Sequence, residues 1–408
     1  MLSVQELNEL AKTCTCGNAH YDCSIEEIVV RHNALQEAPR FIKSKGFNKV
    51  SIVADETTFN VAGERLVAEL ETANIPFETV IIQANEQGDV IANEVSLIEA
   101  MLGISQDTNA VIAVGAGTIH DISRFSSYKM GKPFISIPTA PSVDGFNSMG
   151  APVVIKGVKT TFQMQTPIAL FADIGILVKA PKKMIAAGFG DMIGKFTSLA
   201  DWNFSHLIAN EAYCALAADI TRKALQSCVE SSNQIAKADD EGIQRLIEAL
   251  IDSGLAMLLV GHSSPASGGE HHLSHYWEMD FLSKGKKQVL HGAKVGISTQ
   301  VILNFYKNQF LSLVSNKERL LALKANNRVA ITKILDVQEQ IIEIIDSLPS
   351  ADDIGQLLTV LEGPTRPADI GIDDELVRNS LAEAHQLRKN RYTMLKFWND
   401  HVGVHQDE

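Results

Sequence analysis

The chain has 408 residues, 45% hydrophobic and 21% charged, with no biased tract, which excludes a disordered polymer and allows two domains with substantial cores. A formal net charge of −13 argues against a broad surface for nucleic acid or anionic lipid, because phosphate-backbone affinity needs clustered Lys and Arg. No stretch approaches the roughly 18 apolar residues that span a bilayer, and Met1-Leu2-Ser3-Val4 lacks the basic start and apolar run of a secretory signal, so no membrane insertion and a cytoplasmic location are expected.

Five cysteines do not make a disulfide framework in a chain this size, and the odd number leaves at least one free, which fits a reducing compartment. Cys14, Cys16, His20 and Cys23 lie close together, but their C-x-C-x3-H-x2-C spacing lacks the paired C-x2-C of strong structural zinc sites. They read as loop and packing residues.

A helical pattern covers Ala34 to Lys45, and the apolar run from Lys49 to Ala54, ending at Asp55, reads as a buried strand. A helix is expected from Thr58 to about Ala73, a strand from Phe77 to Gln83, a helix from about Ile91 to Leu102, and a strand from Ala110 to Val114. This alternation predicts crossover helices on a parallel sheet, a doubly wound α/β arrangement of the Rossmann-like kind. The last strand runs into Gly115-Ala116-Gly117-Thr118-Ile119-His120-Asp121 and a helix to about Tyr128. Strand, glycine turn and helix N-terminus make a phosphate cradle, since glycine admits close backbone approach and the first-turn amides attract an anion. The third glycine of G-x-G-x-x-G is missing, so a tight structural turn is the competing reading.

A strand from Lys132 to Pro138 follows, then Thr139-Ala140-Pro141-Ser142-Val143-Asp144-Gly145-Phe146-Asn147-Ser148. Small hydroxyls, a carboxylate and glycine beyond a strand end suit a ligand loop, with Asp144 alternatively serving as a cap. Pro152 to Ile155 and Ile168 to Ile174 add apolar runs, and the sheet domain is placed at residues 1–180. From Pro181 the period changes to about 3.6 residues: Ile243, Leu246, Ile247, Leu250 and Ile251 mark one face of a long helix. Further helices are expected at about Ala293 to Leu313, Asn326 to Asp346, Ile354 to Leu361 and Asp374 to Trp398, with a break at Pro364 and Pro367, so residues 181–408 form an all-helical domain.

The chemistry concentrates in Ser267-Gly268-Gly269-Glu270-His271-His272-Leu273-Ser274-His275, followed by Leu290-His291-Gly292. On one helix His271 and His275 fall one turn apart on one face, a metal-ligand or proton-relay geometry, and a satisfied histidine cluster is the alternative. Asp191 follows Gly188-Phe189-Gly190 at an apparent helix start, where a carboxylate alone is usually a cap. Joined to His271 and His291 it completes two imidazoles and one carboxylate with an open position, which suits a catalytic divalent metal.

The order Asp55, Gly115-Ala116-Gly117-Thr118, Pro138-Thr139-Ala140-Pro141-Ser142-x-Asp144-Gly145, Gly190-Asp191, Glu270-His271-x3-His275 and His291-Gly292 resembles the superfamily of dehydroquinate synthase and metal-dependent polyol dehydrogenases. Within it the chain is most similar to the sn-glycerol-1-phosphate dehydrogenases, with Arg388-Lys389-Asn390-Arg391-Tyr392-Thr393 as a further distinguishing piece, and the resemblance covers nearly the whole chain. It implies a cleft site between the two domains, with Asp191, His271 and His291 as metal ligands. It also implies dinucleotide contacts from Gly115, Ala116, Gly117, Thr118, Ile119, Thr139, Ala140, Pro141, Ser142 and Ser148, and substrate contacts from Asp144, Asp191 and His275. His272, beside the ligand position, departs from the family pattern and leaves open which ring of the pair binds metal; His271 is favoured because it stands four before His275, and His272 has no assigned role.

The implied reaction is reversible reduction of dihydroxyacetone phosphate to sn-glycerol 1-phosphate, feeding glycerophospholipid synthesis, with one divalent metal, zinc or nickel, polarising the carbonyl. Asp191 and His275 are the implied catalytic residues, His275 passing a proton with a pKa near neutrality. Asp55 at a strand end, followed by Glu56 and no nearby Arg, predicts NAD over NADP without excluding NADP. Lys156, Lys159, Lys195 and the Arg388 to Arg391 group are candidates for the phosphate of the small triose substrate. Oligomeric state is not readable, and a homodimer is compatible with the sequence. The competing functions are a polyol dehydrogenase, a dehydroquinate-synthase-like cyclase, and, in a different class, a non-catalytic nucleotide-binding protein.

Overall fold

The computed structural model describes residues 1–21, 23–323 and 328–403. Among these residues are eight strands, β1 (Glu27–Arg31), β2 (Val50–Asp55), β3 (Phe77–Ile82), β4 (Ala110–Gly115), β5 (Phe134–Pro138), β6 (Gly150–Ile155), β7 (Val158–Gln163) and β8 (Ala169–Asp173). Six form one sheet in the order β1-β8-β5-β4-β2-β3, with every neighbouring pair parallel, while β6 and β7 make a separate antiparallel hairpin. Buried strands fit a sheet covered on both faces. Along β4, Ala110, Ile112 and Val114 pack into the apolar layer on one face, and Val111 and Ala113 into the layer on the other.

The chain reverses direction across the sheet between β2 and β4, where an open α/β sheet places its ligand crevice. Val53 pairs with Ala113, so the strand ends Asp55 and Gly115 lie side by side at that crevice. After β8 the described elements are helical, including the long helix Asp240–Val260, whose apolar face carries Ile243, Leu246, Ile247, Leu250 and Ile251 into the core. The α/β sheet followed by helices is the architecture expected.

Several local expectations need correction. Strand β1 and the helix Val4–Thr13 went unread; β1 offers only Ile28, Val29 and Val30 between charged residues. The helix expected from Ile91 begins at Glu94, because the Asn93 side chain caps it by accepting from the Val95 and Ser96 amides. Asp374 to Trp398 is not one helix: Asp374–Glu383 passes into a tight turn of helix at Ala384–Arg388, and a new helix, Met394–His401, starts where Thr393 caps it. The start expected at Asn326 lies outside the described residues, and the remainder of that stretch forms two helices, Arg328–Asp336 and Gln338–Asp346.

Candidate active site

Asp191 is not at a helix start. It is fully buried near the end of the helix Lys182–Ile193, whose Gly188 and Gly190 are interior positions. Those glycines are contact points. A Cβ on Gly188 would come within 1.8 Å of the Pro141 carbonyl oxygen, one on Gly190 within 2.3 Å of the Gly292 carbonyl oxygen, and one on Gly292 within 1.8 Å of the Ala187 carbonyl oxygen. Backbone therefore packs directly on backbone between this helix and the helix His291–Phe305, which brings Asp191 against His291.

His271 and His275 project from the helix Gly269–Ser283, as their spacing predicted. The ring centroids of His271 and His291 are 5.2 Å apart, those of His275 and His291 5.9 Å, and those of His271 and His275 6.1 Å. One donor atom each from Asp191, His271 and His291 falls within a common 4.8 Å, and the Nε2 of His271 lies 3.8 Å from Oδ1 of Asp191. The Nδ1 of His271 meets the buried Glu270 carboxylate at 2.7 Å, which assigns the proton to Nδ1 and leaves Nε2 bare towards Asp191. Glu270 is itself held by the Gly268 amide and the Thr197 hydroxyl, both at 2.6 Å. The buried Nδ1 of His291 has no hydrogen-bond partner among the described residues. Two imidazoles and a carboxylate, one ring already oriented from behind, fit a divalent metal. His272 does not line the cavity with them: it is fully buried, with neither ring nitrogen hydrogen-bonded among the described residues.

The three histidines 271, 275 and 291 open onto a cavity of about 1410 Å³ between the sheet and the helices. Asp55, Ala116, Gly117, Thr118 and Ile119 line it, as do Thr139, Ala140, Ser142, Asp144 and Ser148. The helix Gly117–Lys129 starts with no side-chain cap, and a Cβ on Gly117 would close to 3.0 Å of the Val143 side chain, so the turn is built for close approach. Gly115 and Pro141 do not line the cavity; Gly115 ends β4, and the Pro141 carbonyl abuts Gly188. Sequence reasoning missed Arg124, fully buried, which pins the loop by donating to the carbonyls of Gly145 at 2.6 Å, Phe146 at 3.1 Å and Gly150 at 2.9 Å.

Among the expected phosphate partners, Lys195 is excluded by its place. It is fully buried and paired with Asp144 at 2.8 Å and Asp191 at 3.1 Å; burial opposes its charge, but the two carboxylates prevail and hold it above the ordinary lysine range. Lys156 sits exposed on the β6–β7 turn, and Arg391 is buried against Glu211 and the Ser267 carbonyl. Lys159 and Arg388 do line the cavity, joined by Lys294, which sequence reading overlooked. Glu278 bonds Lys159 at 2.9 Å and Lys294 at 2.8 Å, and Arg388 donates to the Ser263 and Ser267 hydroxyls. Lys159, Lys294 and Arg388 against Glu278 leave a positive surplus, the nearby Asp121 being paired with the buried Arg124. Helix periodicity holds the missing signal: Lys294 lies one turn after His291, and Glu278 one turn after His275.

Two further expectations change. Burial, then the Lys159 and Arg388 cations, carry His275 well below the ordinary imidazole range, so the ring is neutral rather than poised near pH 7. An arginine does reach the cofactor side of the cavity: Arg65, ten residues after Asp55, lines it while bonding Asp173 at 3.4 Å.

Known proteins resemble this chain in family and in fold. The family described as iron-containing alcohol dehydrogenase matches residues 29–181. A glycerol-1-phosphate dehydrogenase [NAD(P)+] of Geobacillus stearothermophilus is 48% identical over 98% of this chain and 99% of its own. The chain belongs to the glycerol-1-phosphate dehydrogenase family. The enzyme of the same name from Pyrococcus furiosus is 31% identical over 90% of this chain and 92% of its own. The fold is shared more widely. A probable glycerol dehydrogenase from Sinorhizobium meliloti superposes with a TM-score of 0.64 at 15% identity, covering 91% of this chain and 90% of that one. A sulfoacetaldehyde reductase from Bifidobacterium kashiwanohense, solved with NAD+, gives 0.65 at 13% identity, covering 95% and 99%. The protein is thus an oxidoreductase with the Rossmann-like sheet and helical second half of that family. No helix among the described residues is long and apolar enough to cross a membrane.

Proposed function

We propose that this enzyme reversibly reduces dihydroxyacetone phosphate to sn-glycerol 1-phosphate with NAD(P)H. The observation that carries the reading is one cavity holding a strand-end dinucleotide crevice, an Asp-His-His cluster and a positive surplus beyond it, in a chain nearly half identical to enzymes of that name. Asp191, His271 and His291 would hold a divalent metal, zinc or nickel, which would polarise the carbonyl that receives hydride. Glu270 orients His271, and the Asp144 amide, donating to Oδ2 of Asp191 at 3.0 Å, fixes the carboxylate. Neutral His275 offers one ring donor and one acceptor, so it positions a substrate hydroxyl and relays a proton without a net charge of its own.

Lys159, Lys294 and Arg388 receive the phosphate, their surplus over Glu278 matching a dianion. Asp55 takes the adenosine ribose hydroxyls and favours NAD, while Arg65 leaves NADP admissible. The Thr58 amide, donating to Oδ1 of Asp55 at 2.8 Å, sets that carboxylate in place. The enzyme works in the cytoplasm on a soluble triose phosphate. The test is NADH oxidation with dihydroxyacetone phosphate against unphosphorylated dihydroxyacetone. The proposal expects kcat/KM to favour the phosphate ester by at least about 100-fold, as two charge-assisted contacts of about 1.5–3 kcal/mol each would give; equal efficiency on the two would overturn it.

A further inference from the structure

A second cluster lies apart from the cavity. The Sγ atoms of Cys14, Cys16 and Cys214 and a ring nitrogen of His20 all fall within 4.8 Å of one another. Cys23, the fourth residue of the sequence pattern, is not part of it; Cys23 packs into the core with its amide bonded to Asn8. The fourth position comes instead from Cys214, two hundred residues on, at the start of the helix Ala215–Glu230. We propose that Cys14, Cys16, His20 and Cys214 bind one zinc ion in a closed tetrahedral site that fastens the N-terminal segment to the helical part of the molecule.

Zinc at about 2.3 Å from sulfur and about 2.05 Å from nitrogen, in tetrahedral geometry, places sulfurs about 3.8 Å apart and sulfur about 3.6 Å from nitrogen. The Cys14 and Cys214 sulfurs are 3.8 Å apart, and Nε2 of His20 lies 3.3 Å from the Cys16 sulfur and 3.9 Å from that of Cys214. Three of the six separations thus lie close to those of four ligands around one centre, and the other three fall within 4.8 Å. The Cys14–Cys214 distance is nearly twice the roughly 2.05 Å of a disulfide.

The surroundings are arranged for metal as well. Nδ1 of His20 lies 3.3 Å from the Leu259 carbonyl oxygen, which can only accept, so the proton sits on Nδ1 and Nε2 faces the sulfurs with its lone pair free. The Cys16 sulfur accepts from the Asn18 side-chain amide at 3.4 Å, and that of Cys214 from the Ala217 amide at 3.4 Å, in the first turn of the helix it caps. Both donors favour thiolates, whose combined charge exceeds that of one zinc ion. Gly17, at φ +78, makes the turn that returns the chain from Cys16 to His20. Three thiolates and one imidazole leave no open position, so the site is structural rather than catalytic.

Its consequence is mechanical. The Tyr21 amide donates to the same Leu259 carbonyl at 3.1 Å, and the Tyr21 ring fills the space beside Gly261. This is the end of the helix Asp240–Val260, directly before the loop whose Ser263 and Ser267 hold Arg388. The metal would thereby brace one wall of the substrate cavity from outside.

The test is metal content of untagged full-length protein purified under reducing conditions, together with the absorption of the cobalt-substituted form. Two metal ions per chain are expected, and cobalt should give thiolate charge-transfer absorption in the near ultraviolet, because the Asp191 cluster contains no sulfur. Cys214→Ser and Cys16→Ser should each lose one equivalent and that absorption while keeping the other metal. Asp191→Ala should do the reverse. The wild-type cobalt spectrum decides the matter even if a cysteine variant fails to fold. One metal per chain with no thiolate absorption would overturn the proposal, as would mass analysis finding Cys14 and Cys214 joined as a disulfide in protein isolated with alkylation and no oxidant.

Discussion

Glu270→Ala removes the group that orients His271 without altering a ligand atom. The carboxylate is completely buried, and one of its oxygens serves both Nδ1 of His271 at 2.7 Å and the Gly268 amide at 2.6 Å, the other the Thr197 hydroxyl at 2.6 Å. Truncation strands these donors, at about 1–3 kcal/mol for each that finds no other partner, and frees the imidazole to rotate. Loss of such a partner typically weakens metal binding by about 10–100-fold, or about 1.4–2.8 kcal/mol. Glu270→Gln separates geometry from charge: its carbonyl can still accept from His271 and Gly268, and its amide can donate to the Thr197 oxygen. Its affinity should therefore fall between those of wild type and Glu270→Ala. Competition titration of metal-free protein against a chromophoric chelator measures all three, and the affinity of Glu270→Ala matching that of wild type would refute the orienting role.

Lys294→Ala should raise KM for dihydroxyacetone phosphate by about 10-fold or more, from loss of one charge-assisted contact, with KM for NADH unchanged; steady-state kinetics with each substrate varied shows whether the effect is confined to the phosphate end. Asp55→Asn should shift the NADPH to NADH ratio of kcat/KM towards NADPH, since the repelling carboxylate is gone and Arg65 remains. Gly292→Ala should destabilise by about 1–3 kcal/mol and weaken metal binding together, because the new methyl must push the Ala187 carbonyl from 1.8 Å and so part Asp191 from His291; thermal melts with and without metal read both. Acid stability has its own marker in Glu78. Burial works against its charge, but hydrogen bonds from Ser105 and Ser51 and the Lys49 ammonium pull its pKa down to about 2. Its folded pKa is depressed, so its contribution is present above the unfolded carboxylate value and lost as pH falls from about 4.5 towards 2. Glu78→Gln should therefore lower Tm at pH 7 and lose less stability than wild type across that acid window.

What the sequence made legible was local. The apolar run of β4, the glycine turn after it and the helical spacing of His271 and His275 are each written within a dozen residues, and the structure contains all three. What it hid was convergence. Arg124 and the Gly145 loop, or Cys214 and the cysteines of the N-terminal segment, meet only in the folded chain, and no short spacing encodes the meeting. Lys195 looked free to bind phosphate although Asp191 stands four residues before it, because its other partner, Asp144, arrives from the loop after β5. Strand β1 was hidden for another reason: it lies beside β8 at the sheet edge, where a strand tolerates charged residues at its ends.

The central claim is most directly tested by the configuration of the product. Dihydroxyacetone phosphate is prochiral at C2, and the proposed pose, with the phosphate among Lys159, Lys294 and Arg388 and the carbonyl near His271 and His291, would present one face to the nicotinamide. Reduction with NADH followed by chiral analysis of the glycerol phosphate should give the sn-glycerol 1-phosphate enantiomer alone. Formation of sn-glycerol 3-phosphate, or of a racemic mixture, would contradict the account.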